Sequence, residues 1–138
     1  MREIRFRGLH EGQDGKKRWV YGDLIHDMDG TVRIRTLQIN GPVTYSVDPK
    51  TVGQMTGMVD HEGIDIFEGD ILKEPDVTHN GEVQIEGRVY TASMSSGCWV
   101  AVSTICGMAN YEWLKSTTVK GALVIGNIHE NPELIGGE

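Results

Sequence analysis

The stretch DHEGIDIFEGD, residues 60–70, sets Asp60, Glu62, Asp65, Glu68 and Asp70 within eleven positions. Carboxylates at that density are what a metal site or an acid–base pair is built from. A calcium loop of the EF-hand type needs oxygen ligands at positions 1, 3 and 5, with Gly at 6 and Glu at 12. Counted from Asp60, position 5 is Ile64 and the Gly falls at position 4, so the pattern fails. Zinc or iron would want converging His and Cys, but His10, His26, His61, His79 and His129 stand apart, with neither HxxxH nor HxH spacing. Paired acids for glycoside hydrolysis face each other across a cleft, whereas Asp65 alternates with Ile64 and Ile66 and points to the opposite, solvated face of a strand. A structural reading explains more of the residues. Asp60–Gly63 forms a four-residue turn with Gly63 in the left-handed region, and Ile64 and Ile66 begin a strand. Gly69 bends that strand, and Ile71 and Leu72 carry it into a core.

Nucleophilic chemistry finds no better support. Ser, Cys and His are present, but there is no GxSxG elbow, phosphate-binding P-loop or GxGxxG fingerprint. Cys98 (in GCWVAV) and Cys106 (in TICGM) lie in apolar surroundings and read as free, buried thiols. No catalytic residue, metal or cofactor is expected, and the chain reads as a non-enzyme.

The elements that must position any site are short strands. Gly follows Asp or Asn at Asp14-Gly15, Asp29-Gly30, Asn40-Gly41 and Asn80-Gly81, pairs that tolerate the positive φ of tight hairpin loops. Between them, Ile4 and Phe6 alternate with Arg5 and Arg7, and Val32 and Ile34 with Arg33 and Arg35. Tyr45 and Val47, then Val83 and Ile85, extend the period-2 pattern, and CWVAV at 98–102 reads as a more buried strand. Helix is scarce. Asp48-Pro49 and Asn131-Pro132-Glu133 each open a single turn, and residues 108–116 fit a short helix or an irregular loop. The expected class is all-β and mainly antiparallel.

The 138 residues, 38% apolar and 24% charged, suffice for one domain or two small subdomains around a core. No run approaches the roughly 18 apolar residues of a membrane span. The opening MREIRFR has no apolar signal region, so the cytoplasm is the expected compartment. The net charge of −7 is uneven: residues 1–40 carry eight Lys/Arg against six Asp/Glu, and residues 41–138 carry five against fourteen. An acidic balance repels a phosphate backbone, which makes general nucleic-acid binding an unfavoured expectation.

Several blocks resemble the YopX-like proteins of bacteriophages and prophages. They are Arg2-Glu3-Ile4-Arg5-Phe6-Arg7, Tyr21-Gly22-Asp23-Leu24-Ile25, Val47 through Gln54 with Thr56-Gly57, Asp60 through Ile71, and the ending Val124 through Leu134. They occur in the family's order and span nearly the whole chain, 1–136. Departures are Gly8-Leu9 where an aromatic is common, Phe67 and His129 where Tyr is usual, and a stretch from about 75 to 120 with no signature. The resemblance implies an N-terminal β subdomain over 1–57 and an SH3-like barrel over 58–138, in a phage or prophage protein of the bacterial host cell. It implies no activity and no catalytic residues.

Two binding expectations remain. The first is a non-catalytic module that docks a host or phage protein, with Trp113 and its neighbour Tyr111 as exposed anchors; most of the other aromatics belong in a core. The second is a small barrel that binds nucleic acid through Arg5, Arg7, Arg33 and Arg35, which share a patch if their strands pair. A solvated outer sheet face is the simpler account of those arginines, because polar-out alternation is what any half-exposed sheet shows. A homo-oligomer is compatible with open sheet edges.

Overall fold

In this computed structural model, residues 3–105, 108–115 and 119–135 are described. The chain forms two compact units, Met1–Gly57 and Met58–Glu138, and both are built of antiparallel strands.

The first unit contains β1 (Phe6–Glu11), β2 (Lys17–His26), β3 (Val32–Gln38), β4 (Gly41–Ser46) and the start of β5 (Gly53–Val59). Their order in the sheet is β4-β3-β2-β1-β5. The first three hairpins close at Gly15, Gly30 and Gly41, all with positive φ, as the Asp-Gly and Asn-Gly pairs predict. β2 serves two partners in succession. Lys17–Gly22 pairs with β1, and Asp23–His26 pairs with β3. The exchange occurs at Gly22, where φ is +156° and any Cβ would overlap the Arg35 carbonyl oxygen. Alternation then sends Val20, Val32 and Ile34 inward to join Val47, with Phe6, Leu24, Tyr45 and Val52 around them. A 3-10 turn at Pro49–Thr51 is capped by the Asp48 side chain, which accepts from the Lys50 N–H. Thr51 Oγ1 accepts from the Leu9 N–H at 2.9 Å, tying that turn to β1.

In the second unit, β6 (Asp65–Phe67), β7 (Asp70–Lys73), β8 (Val77–His79), β9 (Glu82–Ile85) and β10 (Val89–Ser95) are followed by β11 (Cys98–Ile105), β12 (Met108–Trp113) and β13 (Leu123–Asn127). A five-stranded sheet runs β12-β11-β10-β7-β13, and β8 and β9 form a separate hairpin. Ile66, Leu72, Tyr90, Ala92, Ala101, Leu114, Val119 and Ala122 make the core. Pro132–Ile135 is a second 3-10 turn.

Three expectations are corrected. Residues 108–113 are neither helix nor loop but a strand, because β11 offers them a full ladder from Val100↔Trp113 to Ile105↔Met108. Ile64 precedes β6 and is exposed, so only Ile66 of that pair reaches the core. Cys98 is free but only half-buried; Cys106 lies outside the described residues. A further hairpin turn, Ser96-Gly97 with φ of 51° and 80°, has the left-handed geometry of the Asn-Gly turns without their Asn or Asp. Among the described residues, no helix is long and apolar enough to cross a membrane.

Candidate functional site

The acidic stretch is committed to its own backbone. Asp60 is 4% exposed. One carboxylate oxygen accepts from the N–H groups of Glu62 (2.9 Å) and Ile64 (3.0 Å), and the other from Val124 (3.0 Å). Burial alone would push this carboxyl up. The three N–H donors, with help from His61, outweigh burial and hold it below the ordinary aspartate value. Asp70, also buried, accepts from the Phe67 N–H at 2.8 Å. The same device closes the far end of the chain, where Asn127 Oδ1 accepts from the N–H groups of His129 and Glu130. Glu62 and Asp65 face solvent. Among the described residues no group of three or more His, Cys, Asp or Glu is placed to hold a metal.

The four arginines do not form one patch. β1 and β3 are not paired, because β2 lies between them. Arg7 is on the face opposite Phe6, as alternation requires, yet it is 6% exposed and its guanidinium sits 4.4 Å from the Trp19 ring centroid. Arg33 is paired with Asp27 at 2.9 Å. Arg5 and Arg35 do line a common concavity of about 370 Å³, but Glu3 and Asp23 line it with them. Each arginine bonds its acid, at 2.6 Å and 3.0 Å. Two positive charges are thus matched by two negative ones.

Trp113 and Tyr111 are 66% and 61% exposed. The ladder explains this. In β11, Ala101 faces the core, with Trp99 packed against it, so Val100 and Val102 face away. Their cross-strand partners are Trp113 and Tyr111, which therefore stand on the outer face. With Cys98, Val100 and Glu112 they line a shallow concavity of about 350 Å³. β12 is also the edge of the sheet. The Leu114 N–H donates to the Trp99 carbonyl, and hydrogen-bonded pairs alternate along an antiparallel ladder. Glu112 and Asn110 therefore direct their main-chain groups inward, and Trp113, Tyr111 and Ala109 direct theirs outward. Among the described residues no strand pairs with that side.

Glu112 fixes the strand from its other face. Arg88 donates to Glu112 at 2.7 Å and to Glu74 at 2.8 Å, while its guanidinium lies 5.3 Å from the Tyr90 ring centroid. Arg88 holds the Glu112 carboxyl below its ordinary value. Burial, then the Glu74 charge, pushes the Tyr90 hydroxyl up to about 12. Sequence reasoning reached Tyr111 and Trp113 but missed Cys98, Val100 and Glu112 as their neighbours. Their association depends on a register between segments, for which the local pattern carried no signal.

A family model described as YopX protein matches residues 10–136, nearly the whole chain. Among solved structures, the crystal structure of protein EF1440 from Enterococcus faecalis is similar at 20% identity, with a TM-score of 0.52 over 98% of this chain and 99% of that one. That likeness is one of fold. No curated protein matches.

Proposed function

The chain belongs to the YopX protein family, and from that premise we propose that it is a non-catalytic protein-interaction module, a phage or prophage accessory protein that docks a host or phage protein in the bacterial cytoplasm. The observation that carries this reading is the pair Tyr111 and Trp113, two large rings exposed side by side on the outer face of an edge strand. Exposed aromatics of this size are the residues that most often dominate binding energy at protein interfaces. The non-catalytic part is supported by the use already made of the acids. The buried carboxylates of Asp60 and Asp70 accept from main-chain N–H groups, and Glu112 is bonded to Arg88.

The test is capture of partners by tagged wild-type protein and by Trp113→Ala, from bacterial lysate treated with nuclease, with the purified pair then measured by calorimetry. A protein retained by the wild type and weakened about thirtyfold by the substitution, roughly 2 kcal/mol, is the expected result. A partner held equally by both proteins, or retained only without nuclease, refutes the reading.

A further inference from the structure

We propose that β12 is a strand-addition site, and that its occupant is an extended cationic segment of another protein. This deepens the interaction-module reading and rests on it. Two properties coincide at the same residues. Tyr111 and Trp113 carry the exposed rings, and with Ala109 they carry the outward-directed main-chain groups. A chain laid antiparallel or parallel along this edge completes those hydrogen bonds. Its alternate side chains then fall beside the two rings, on the face where Val100 and Cys98 floor the concavity. A globular ligand would use the rings and leave the edge unpaired; an extended one uses both.

Charge selects among extended occupants. Residues 58–138 hold thirteen Asp/Glu against four Lys/Arg, a balance of −9. Glu112 itself is already matched by Arg88, so the attraction comes from the field of the whole unit and from the faces of the two rings. A lysine or arginine over an exposed Tyr or Trp gains about 0.5–1 kcal/mol, and an acidic unit steers cationic segments toward it. A second copy of this chain is the competing occupant. Pairing β12 with itself around Tyr111 would set the two Tyr111 rings opposite each other and each Trp113 against an Ala109, but it would bring two units of −9 together with no complementary charge.

The experiment uses the full chain and a fluorescein-labelled nine-residue peptide of alternating lysine and valine, read by anisotropy at low salt. Controls are a glutamate–valine peptide, a lysine–valine peptide N-methylated at every second residue, and the protein variant Ala109→Pro, which removes one outward N–H and keeps both rings. The expected result is binding of the lysine–valine peptide alone, weakened about tenfold or more by N-methylation and by Ala109→Pro. The N-methylated peptide keeps the test intact if Ala109→Pro fails to fold. No binding, equal binding of the glutamate peptide, or indifference to N-methylation overturns the proposal. So does a concentration-dependent dimer by sedimentation that Ala109→Pro dissolves, which would name a second copy as the occupant. A captured partner that depends on Trp113 but not on the Ala109 N–H would leave the interaction module standing and refute strand addition alone.

Discussion

Asp60 looks like a ligand or a catalytic acid when it is met in the sequence, and its burial would encourage that view. Its oxygens, however, meet three main-chain N–H groups, two in its own turn and one in β13, 64 residues away. A buried charge placed this way closes the Asp60–Ile64 loop and fastens β13 beside it. Replacing it with asparagine keeps the shape but turns an amide toward at least one of those donors. With a charged hydrogen bond contributing about 1.5–3 kcal/mol, Asp60→Asn should lower unfolding free energy by about 2–4 kcal/mol in urea denaturation. The pH dependence follows in sign. The folded value lies below the ordinary 3.8, so the unfolded chain binds this proton first. The stability Asp60 contributes is complete above 3.8 and is lost as pH falls through the depressed folded value. Asp60→Asn should therefore flatten the acid limb of the stability profile as well as lower its plateau. A plateau that drops while the acid limb keeps its slope would assign that limb to other carboxylates.

Gly22 shows the same logic for an element. β2 can exchange partners only where two backbones approach within the space of a missing side chain, and a Cβ at Gly22 would strike the Arg35 carbonyl. Gly30, also at positive φ, has open space around it. Gly30→Ala should cost about 1 kcal/mol, the ordinary penalty of a left-handed alanine. Gly22→Ala should cost about 3 kcal/mol or more, because strand β3 must move. Thermal unfolding of the two variants side by side checks the difference, and equal costs would mean that β2 does not need the close approach. The contrast also marks what the sequence makes legible. Asp-Gly and Asn-Gly turns announce four hairpins because φ > 0 is a local demand, and Asp48-Pro49 announces its 3-10 turn for the same kind of reason. The all-β class follows from those turns and from the alternation in Val32–Arg35. The exchange at Gly22 depends on Arg35, thirteen residues on, and nothing local signals it. β12 is hidden because Met108-Ala109-Asn110-Tyr111-Glu112-Trp113 is short and its periodicity is confused by Met108 and Leu114. Trp113, with Tyr111 beside it, could be named as a candidate anchor because the sequence pattern assigns the stretch 108–116 no single element, but the outward main chain of both appears only once the β11 register is known. The blocks that carry the family resemblance turn out to hold cap and turn residues, among them Asp48, Asp60, Asp70 and Asn127, which is why they locate the fold and leave the partner unnamed.

For the whole molecule, charge is what ranks a nucleic-acid partner below a protein one. The chain carries −7 overall, and the four arginines of the candidate patch are spent locally, with Arg5, Arg33 and Arg35 on acids and Arg7 buried over Trp19. An exposed ion pair contributes little to stability, about 0–1 kcal/mol, so Glu3 and Asp23 would not by themselves prevent a phosphate from displacing them. The field of the remaining acids is the stronger obstacle. At low salt, about 0.01 M, charges are screened only beyond roughly 30 Å, so the repulsion between a phosphate backbone and the chain's net −7 is least screened at the ionic strength where phosphate contacts are strongest. A labelled single-stranded oligonucleotide should therefore show no mobility shift at low salt, where electrostatic binding has its best chance. A shift that disappears in Arg35→Ala would reverse this ranking, because it would mean that the concavity between Arg5 and Arg35 outcompetes both its own carboxylates and the field of the chain. A shift unaffected by Arg35→Ala would place the contact elsewhere, and the patch would still fail as the site.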